Sequence, residues 1–130
     1  MEASTLSLEQ GNATPYSSLS GTLGPKLVNA LAEMKYEYMT PVQQKVFKEL
    51  PTLRTDCVVQ AKTGTGKTTA FLLPALQCLT TSHQVPKGQV GVLIISPTRE
   101  LAMQIAKECD QLTKYLRPAV ECHTAYGGEL

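Results

Sequence analysis

Ala61-Lys62-Thr63-Gly64-Thr65-Gly66-Lys67-Thr68 is the stretch that decides the fold. A phosphate loop needs a small first residue, four others, and then Gly-Lys-Ser/Thr. Ala61 takes the first place, where the generic pattern has Gly, and Gly66, Lys67 and Thr68 take the last three. Gly64 and Gly66 carry no Cβ, so the backbone can turn tightly and aim successive amides at an anion. A helix starting at Thr68 would point its positive end at the same spot. Lys67 would reach the β- and γ-phosphates of a nucleoside triphosphate as a point charge. Thr68 would offer its hydroxyl to Mg²⁺, an ion held largely by substrate phosphates. The phosphate-binding candidates are therefore Ala61, Lys62, Thr63, Gly64, Thr65, Gly66, Lys67 and Thr68, with Lys67 and Thr68 nearest the chemistry.

The flanks supply the context such a loop requires, a strand before it and a helix after it. Residues 57–60 begin Cys57-Val58-Val59 and read as a first strand. Residues 68–79 read as a helix, which Pro74 should kink. Residues 90–95 form a continuous apolar run, the pattern of a strand buried on both faces. Ser96 and Pro97 are read as capping a helix over 98–116, whose apolar face carries Leu101, Ile105 and Leu112. Residues 120–125 read as a third strand, and Gly127-Gly128 as a turn. Upstream, Gly24-Pro25 opens a helix with Leu27, Ala30, Leu31 and Met34 on one face. Thr40-Pro41 opens another, with Val42, Val46, Phe47 and Leu50 at helical spacing and Pro51 as its stop. Residues 1–15 are rich in Ser, Thr, Gly and Asn and are expected to be flexible. Strands alternating with helices define an α/β class with a parallel sheet.

Composition excludes several functions. The 130 residues are 42% hydrophobic and 18% charged, ordinary for one small soluble domain. A net charge of +1 gives no bulk argument for nucleic acid, so any such site must be local. Cys57, Cys78, Cys109 and Cys122 contain no Cys-x-x-Cys pair and read as free thiols in a reducing, intracellular compartment. No apolar run reaches membrane-spanning length. The first 25 residues hold Glu2 and Glu9 and no Lys or Arg, which speaks against an organellar transit peptide. Without a signal peptide, the Asn12-Ala13-Thr14 glycosylation pattern reads as coincidence.

Four segments in order resemble the first half of the first motor domain of a DEAD-box RNA helicase. Thr40-Pro41-Val42-Gln43 looks like that family's Q motif, residues 61–68 like its motif I, in which Ala at the first place is usual, Pro97-Thr98-Arg99-Glu100-Leu101-Ala102 like motif Ia, and Gly127-Gly128 like its GG element. The resemblance covers about residues 16–128. It implies a RecA-like P-loop fold, here an incomplete one over 16–130, with ATP and Mg²⁺ as ligands. It assigns adenine to Gln43, whose amide can bond N6 and N7 together. It assigns base stacking to the upstream aromatic Tyr16, with Tyr36 read as core. It assigns RNA backbone, gripped without sequence preference, to Pro97, Thr98, Arg99, Gly127 and Gly128. Residues 39–45 are similar in wording to mitochondrial intron-splicing members, against which the acidic start argues.

The pattern also departs from the family. No Asp-Glu-Ala-Asp occurs, and the only aspartates are Asp56 and Asp110. An NTP hydrolase of this kind needs an acid at a strand end to hold Mg²⁺ and orient water. The three arginines, Arg54, Arg99 and Arg117, include none placed to approach a γ-phosphate. In RecA-like sheets the loop's strand does not neighbour the next two strands in sequence, so unpaired edges are expected here. The expectation is an ATP-binding, RNA-contacting part of a helicase, a hydrolase by family, without turnover on its own. A stand-alone ATP-binding or interaction module and a P-loop phosphotransferase are the alternatives.

Overall fold

A computed structural model describes residues 14–19, 21–49, 56–62, 64, 66–81 and 85–127. Thr63, Thr65, Gly128, the helix stop at Pro51 and most of the expected flexible start fall outside them. Four helices form: α1 (Pro25–Glu33), α2 (Pro41–Glu49), α3 (Lys67–Thr81) and α4 (Arg99–Leu112), preceded by a 3-10 turn, Tyr16–Leu19.

Each helix starts where its sequence signal stands. Pro25 occupies the first turn of α1, behind an extended Gly24. That helix ends in a Schellman turn. The Tyr36 N–H reaches back to the Leu31 carbonyl (3.1 Å) and the Lys35 N–H to that of Ala32 (3.0 Å). The turn needs a left-handed residue, and Lys35 supplies it at φ 61° without being glycine. Helix α3 runs through Pro74 to Thr81, two residues beyond the predicted end. Helix α4 is shorter than predicted, stopping at Leu112. Its cap is Thr98 rather than Ser96 and Pro97: the Thr98 hydroxyl accepts from the Leu101 N–H at 3.1 Å.

The core is made by helices. Leu27 and Leu31 of α1, Leu72, Leu73 and Leu76 of α3, and Ile105, Cys109 and Leu112 of α4 are buried together with Tyr16, Leu23 and Met39. Helix α3 packs on α2 and α4, and α1 packs on α4 and the 3-10 turn. Two backbone bonds fasten the start of the described chain to the turn before α2. Tyr16 N–H donates to Glu37 (2.9 Å) and Met39 N–H to Thr14 (2.8 Å), around an antiparallel bridge between Pro15 and Tyr38.

The expected parallel sheet does not form among the described residues. Segments 57–60, 90–95 and 120–125 contain no strand. A strand exists only where a neighbour supplies carbonyls and amides, and these segments do not pair with one another. Several of their aliphatic side chains stay in solvent, Val58 at 99% and Ile95 at 86% exposure, while Ile94 and Val120 lean against the helical core. An apolar groove of about 1180 Å³ opens between the loop and this region, lined in part by Lys67, Phe71, Pro74 and Val90. All four cysteines are free thiols. Among the described residues, no helix is long and apolar enough to cross a membrane, and no three His, Cys, Asp or Glu side chains gather to hold a metal.

Candidate nucleotide site

The two described glycines of the loop have the backbone their sequence requires. Gly64 and Gly66 adopt φ values of 77° and 79°, a region that favours glycine. A Cβ on Gly66 would sit 2.2 Å from the Gln43 amide nitrogen, whereas one on Gly64 would face open space. Lys67 and Thr68 open α3 and are half-buried. The Lys67 ammonium curls back across the loop and donates to the Ala61 carbonyl at 2.6 Å. The parts of a polyphosphate cradle are present: a turn with two left-handed glycines, a helix N-terminus and one ammonium beside it. Thr68 at the first turn stands where a hydroxyl could meet Mg²⁺ on those phosphates.

Gln43 is joined directly to this loop. It is 3% exposed, so it is not the solvated helix residue that its chemistry alone would suggest. Its Nε2 donates to the Gly66 carbonyl at 3.1 Å. Its Oε1 accepts from the Thr40 N–H at 2.9 Å and from the Tyr16 hydroxyl. Both lone pairs of that oxygen are therefore occupied, and one N–H of the amide remains to offer.

Tyr16 and Tyr36 stack at 6.1 Å between ring centroids, 26° from parallel. Tyr16 lies underneath, 4% exposed and also against Phe47, while Tyr36 is 37% exposed. Burial lifts the Tyr16 phenol well above the ordinary tyrosine range, so the hydroxyl stays a donor to Gln43. Tyr16 thus touches Gln43 but has little ring face left for a ligand. The ring open to solvent is Tyr36, which residue-by-residue reading had placed in the core.

Two further residues escaped sequence reading. The Glu108 carboxylate of α4 accepts, on one oxygen, from the Tyr36 hydroxyl (3.1 Å) and from the hydroxyl of buried Thr69 in α3. A signal for Glu108 existed. Leu101, Ile105, Glu108 and Leu112 lie at i, i+4, i+7 and i+11, so Glu108 is a charge on a core-facing stripe.

At the other end of α4, Arg99 donates to the Gly127 carbonyl at 2.9 Å and lies 5.5 Å over the Tyr126 ring. The structure so brings Arg99 and Gly127 together, with Pro97 and Thr98 exposed beside them. Neither Glu100 nor Asp110 of α4 holds Arg99. Asp110 pairs with Arg117 at 2.9 Å, and Glu100 makes no ion pair among the described residues. Asp56 is exposed, ahead of the loop.

A model of the family described as DEAD/DEAH box helicase matches residues 40–130, from the turn before Gln43 onward. The chain belongs to the DEAD/DEAH box helicase family. Among its relatives, the mitochondrial ATP-dependent RNA helicase mss116 of Aspergillus oryzae is 62% identical over 89% of this chain and 18% of its own length. The mitochondrial helicase MSS116 of Phaeosphaeria nodorum is 56% identical over 94% of this chain and 22% of its own. The ATP-dependent RNA helicase has1 of Aspergillus fumigatus is 38% identical over 87% of this chain. The helicase-family chain spans about a fifth of the length of these relatives. Loop, Gln43, Arg99 and Gly127 all fall inside the matched residues.

Proposed function

We propose that this helicase-family chain binds ATP with Mg²⁺ and contacts RNA backbone, as the nucleotide-gripping part of an intracellular ATP-dependent RNA helicase. The observation that carries the reading is the union of loop and amide. Two left-handed glycines, Lys67 and Thr68 are tied to Gln43 through the Gly66 carbonyl. Residues 61–68 wrap the phosphates, and Lys67 exchanges the Ala61 carbonyl for a phosphate oxygen. Thr68 lends a hydroxyl to Mg²⁺, which when bound neutralises charge between phosphate oxygens. Gln43 reads the adenine edge, giving up one of its present partners to do so. Tyr36 supplies the stacking face, with Tyr16 beneath it orienting Gln43 through its hydroxyl. Pro97, Thr98, Arg99, Gly127 and Gly128 hold the RNA phosphates, so order of bases does not matter.

Turnover is a separate matter. Asp110 is bound to Arg117 and Asp56 stands in solvent, so neither aspartate is placed to orient water beside Lys67 and Thr68. The reading is binding without hydrolysis by this chain alone.

A nucleotide titration tests it. ATP should bind in preference to GTP, Gln43→Ala should erase the preference, and Lys67→Ala should abolish binding of both. Unchanged ATP affinity in Lys67→Ala would refute the loop. Preference for GTP, or none, would point to a stand-alone module or a phosphotransferase. For RNA, Arg99→Ala should weaken binding and reduce the salt slope by about one.

A further inference from the structure

The Tyr36 ring and the start of α3 belong to different parts of the chain, and Glu108 of α4 bonds to both. One carboxylate oxygen receives the Tyr36 hydroxyl and the Thr69 hydroxyl. Thr69 is 1% exposed and directly follows Thr68. Tyr36 in turn lies on Tyr16, whose hydroxyl holds Gln43. A chain of contacts therefore runs from Gln43 by a hydrogen bond to Tyr16, by ring stacking to Tyr36, and by hydrogen bonds through Glu108 into the helix that follows the phosphate loop. The span between a base platform and a phosphate cradle is bridged at one side by the Gln43 bond to the Gly66 carbonyl. At the other side two charge-assisted bonds to one carboxylate oxygen bridge it from Tyr36 to Thr69, and such bonds are the stronger kind. Burial, followed by the neighbouring Glu108, raises the Tyr36 phenol above its ordinary range, so it remains a donor at neutral pH.

We propose that Glu108 is a positioning residue that sets the distance between the Tyr36 base platform and the Lys67–Thr68 phosphate site, making the site selective for a triphosphate carrying a base over a bare polyphosphate. This rests on the reading of the site as a nucleotide site. Glu108 itself touches no ligand. It acts by holding Tyr36 and Thr69 in register, so that base and phosphates are gripped together rather than one at a time.

The test measures the affinity of the 130-residue chain for Mg²⁺·ATP and for Mg²⁺·tripolyphosphate by titration calorimetry. Glu108→Ala should weaken ATP about tenfold and tripolyphosphate by less than about twofold. Glu108→Gln keeps an acceptor oxygen and should recover most of the loss. Tyr36→Phe removes one hydroxyl from a partly exposed ring, a change the fold tolerates. It should cost ATP affinity similarly, and in the double variant with Glu108→Ala the two losses should fail to add. Equal weakening of both ligands, or additive losses, would mean that Glu108 merely supports the fold. Unaltered ATP binding in Glu108→Ala and Tyr36→Phe would overturn the positioning role while leaving the nucleotide site standing. A wild-type chain that binds neither ligand would overturn both.

Discussion

Gly66 is the residue where sequence, backbone and site meet. Its φ of 79° admits glycine readily and a Cβ poorly, and the place of that Cβ is taken by the Gln43 amide. Gly66→Ala therefore meets two obstacles, backbone strain and displacement of a buried side chain that makes three hydrogen bonds. We expect a loss of about 2 kcal/mol in urea unfolding, and ATP discrimination lost along with it. Wild-type stability in this variant would mean that Gln43 moves aside freely. The need for glycine at 64 and 66 was legible in the sequence, because the phosphate-loop pattern is a statement about backbone. The role of Tyr36 was not. Its value depends on which of two stacked rings faces water, and Tyr16 and Tyr36 are chemically identical until burial separates them. Glu108 was half-legible, as a carboxylate on an apolar stripe.

At the level of elements, local chemistry named the helices well because most starts have their own marker: Pro25, Pro41 and the loop before Lys67, whereas the cap of α4 is Thr98 and not the expected Ser96 and Pro97. Boundaries were less legible. Helix α4 ends at Leu112, after which Thr113 N–H reaches back to Cys109 at 2.9 Å and the chain continues in turns. The Schellman end of α1 carries a cost that sequence alone did not announce. A lysine in the left-handed region is strained, and the next residue along is Tyr36. Lys35→Gly should stabilise the chain by about 1 kcal/mol, read as a higher urea midpoint at unchanged slope. Since the turn keeps its geometry, ATP affinity should hold. A lower midpoint would mean that the Lys35 side chain contributes more than its backbone loses.

For the whole molecule, the sheet is the part that residue patterns promised and the described residues do not contain. Apolar runs at 57–60, 90–95 and 120–125 report what a strand needs on its faces, but not which strand lies beside it. Pairing is a property of neighbours, and the reading of a RecA-like order already placed these segments apart. Val58, Val90, Leu93 and Ile95 remain 77–99% exposed, a sticky surface by any measure. Light scattering of the purified chain should therefore show association that grows with concentration. Replacing Val90 and Leu93 with Ser should reduce it while leaving helical circular dichroism intact. A monodisperse monomer with a cooperative melt would count against this expectation.

The bare extended segments have one more consequence, for labile protons. Amides of α1, α3 and α4 are locked in helical ladders over a buried core, whereas those at 90–95 have no backbone partner among the described residues. In deuterated water the two populations should part by orders of magnitude in exchange time. The slow set would then trace the helical kernel, with residues 90–95 already deuterated at the first time point.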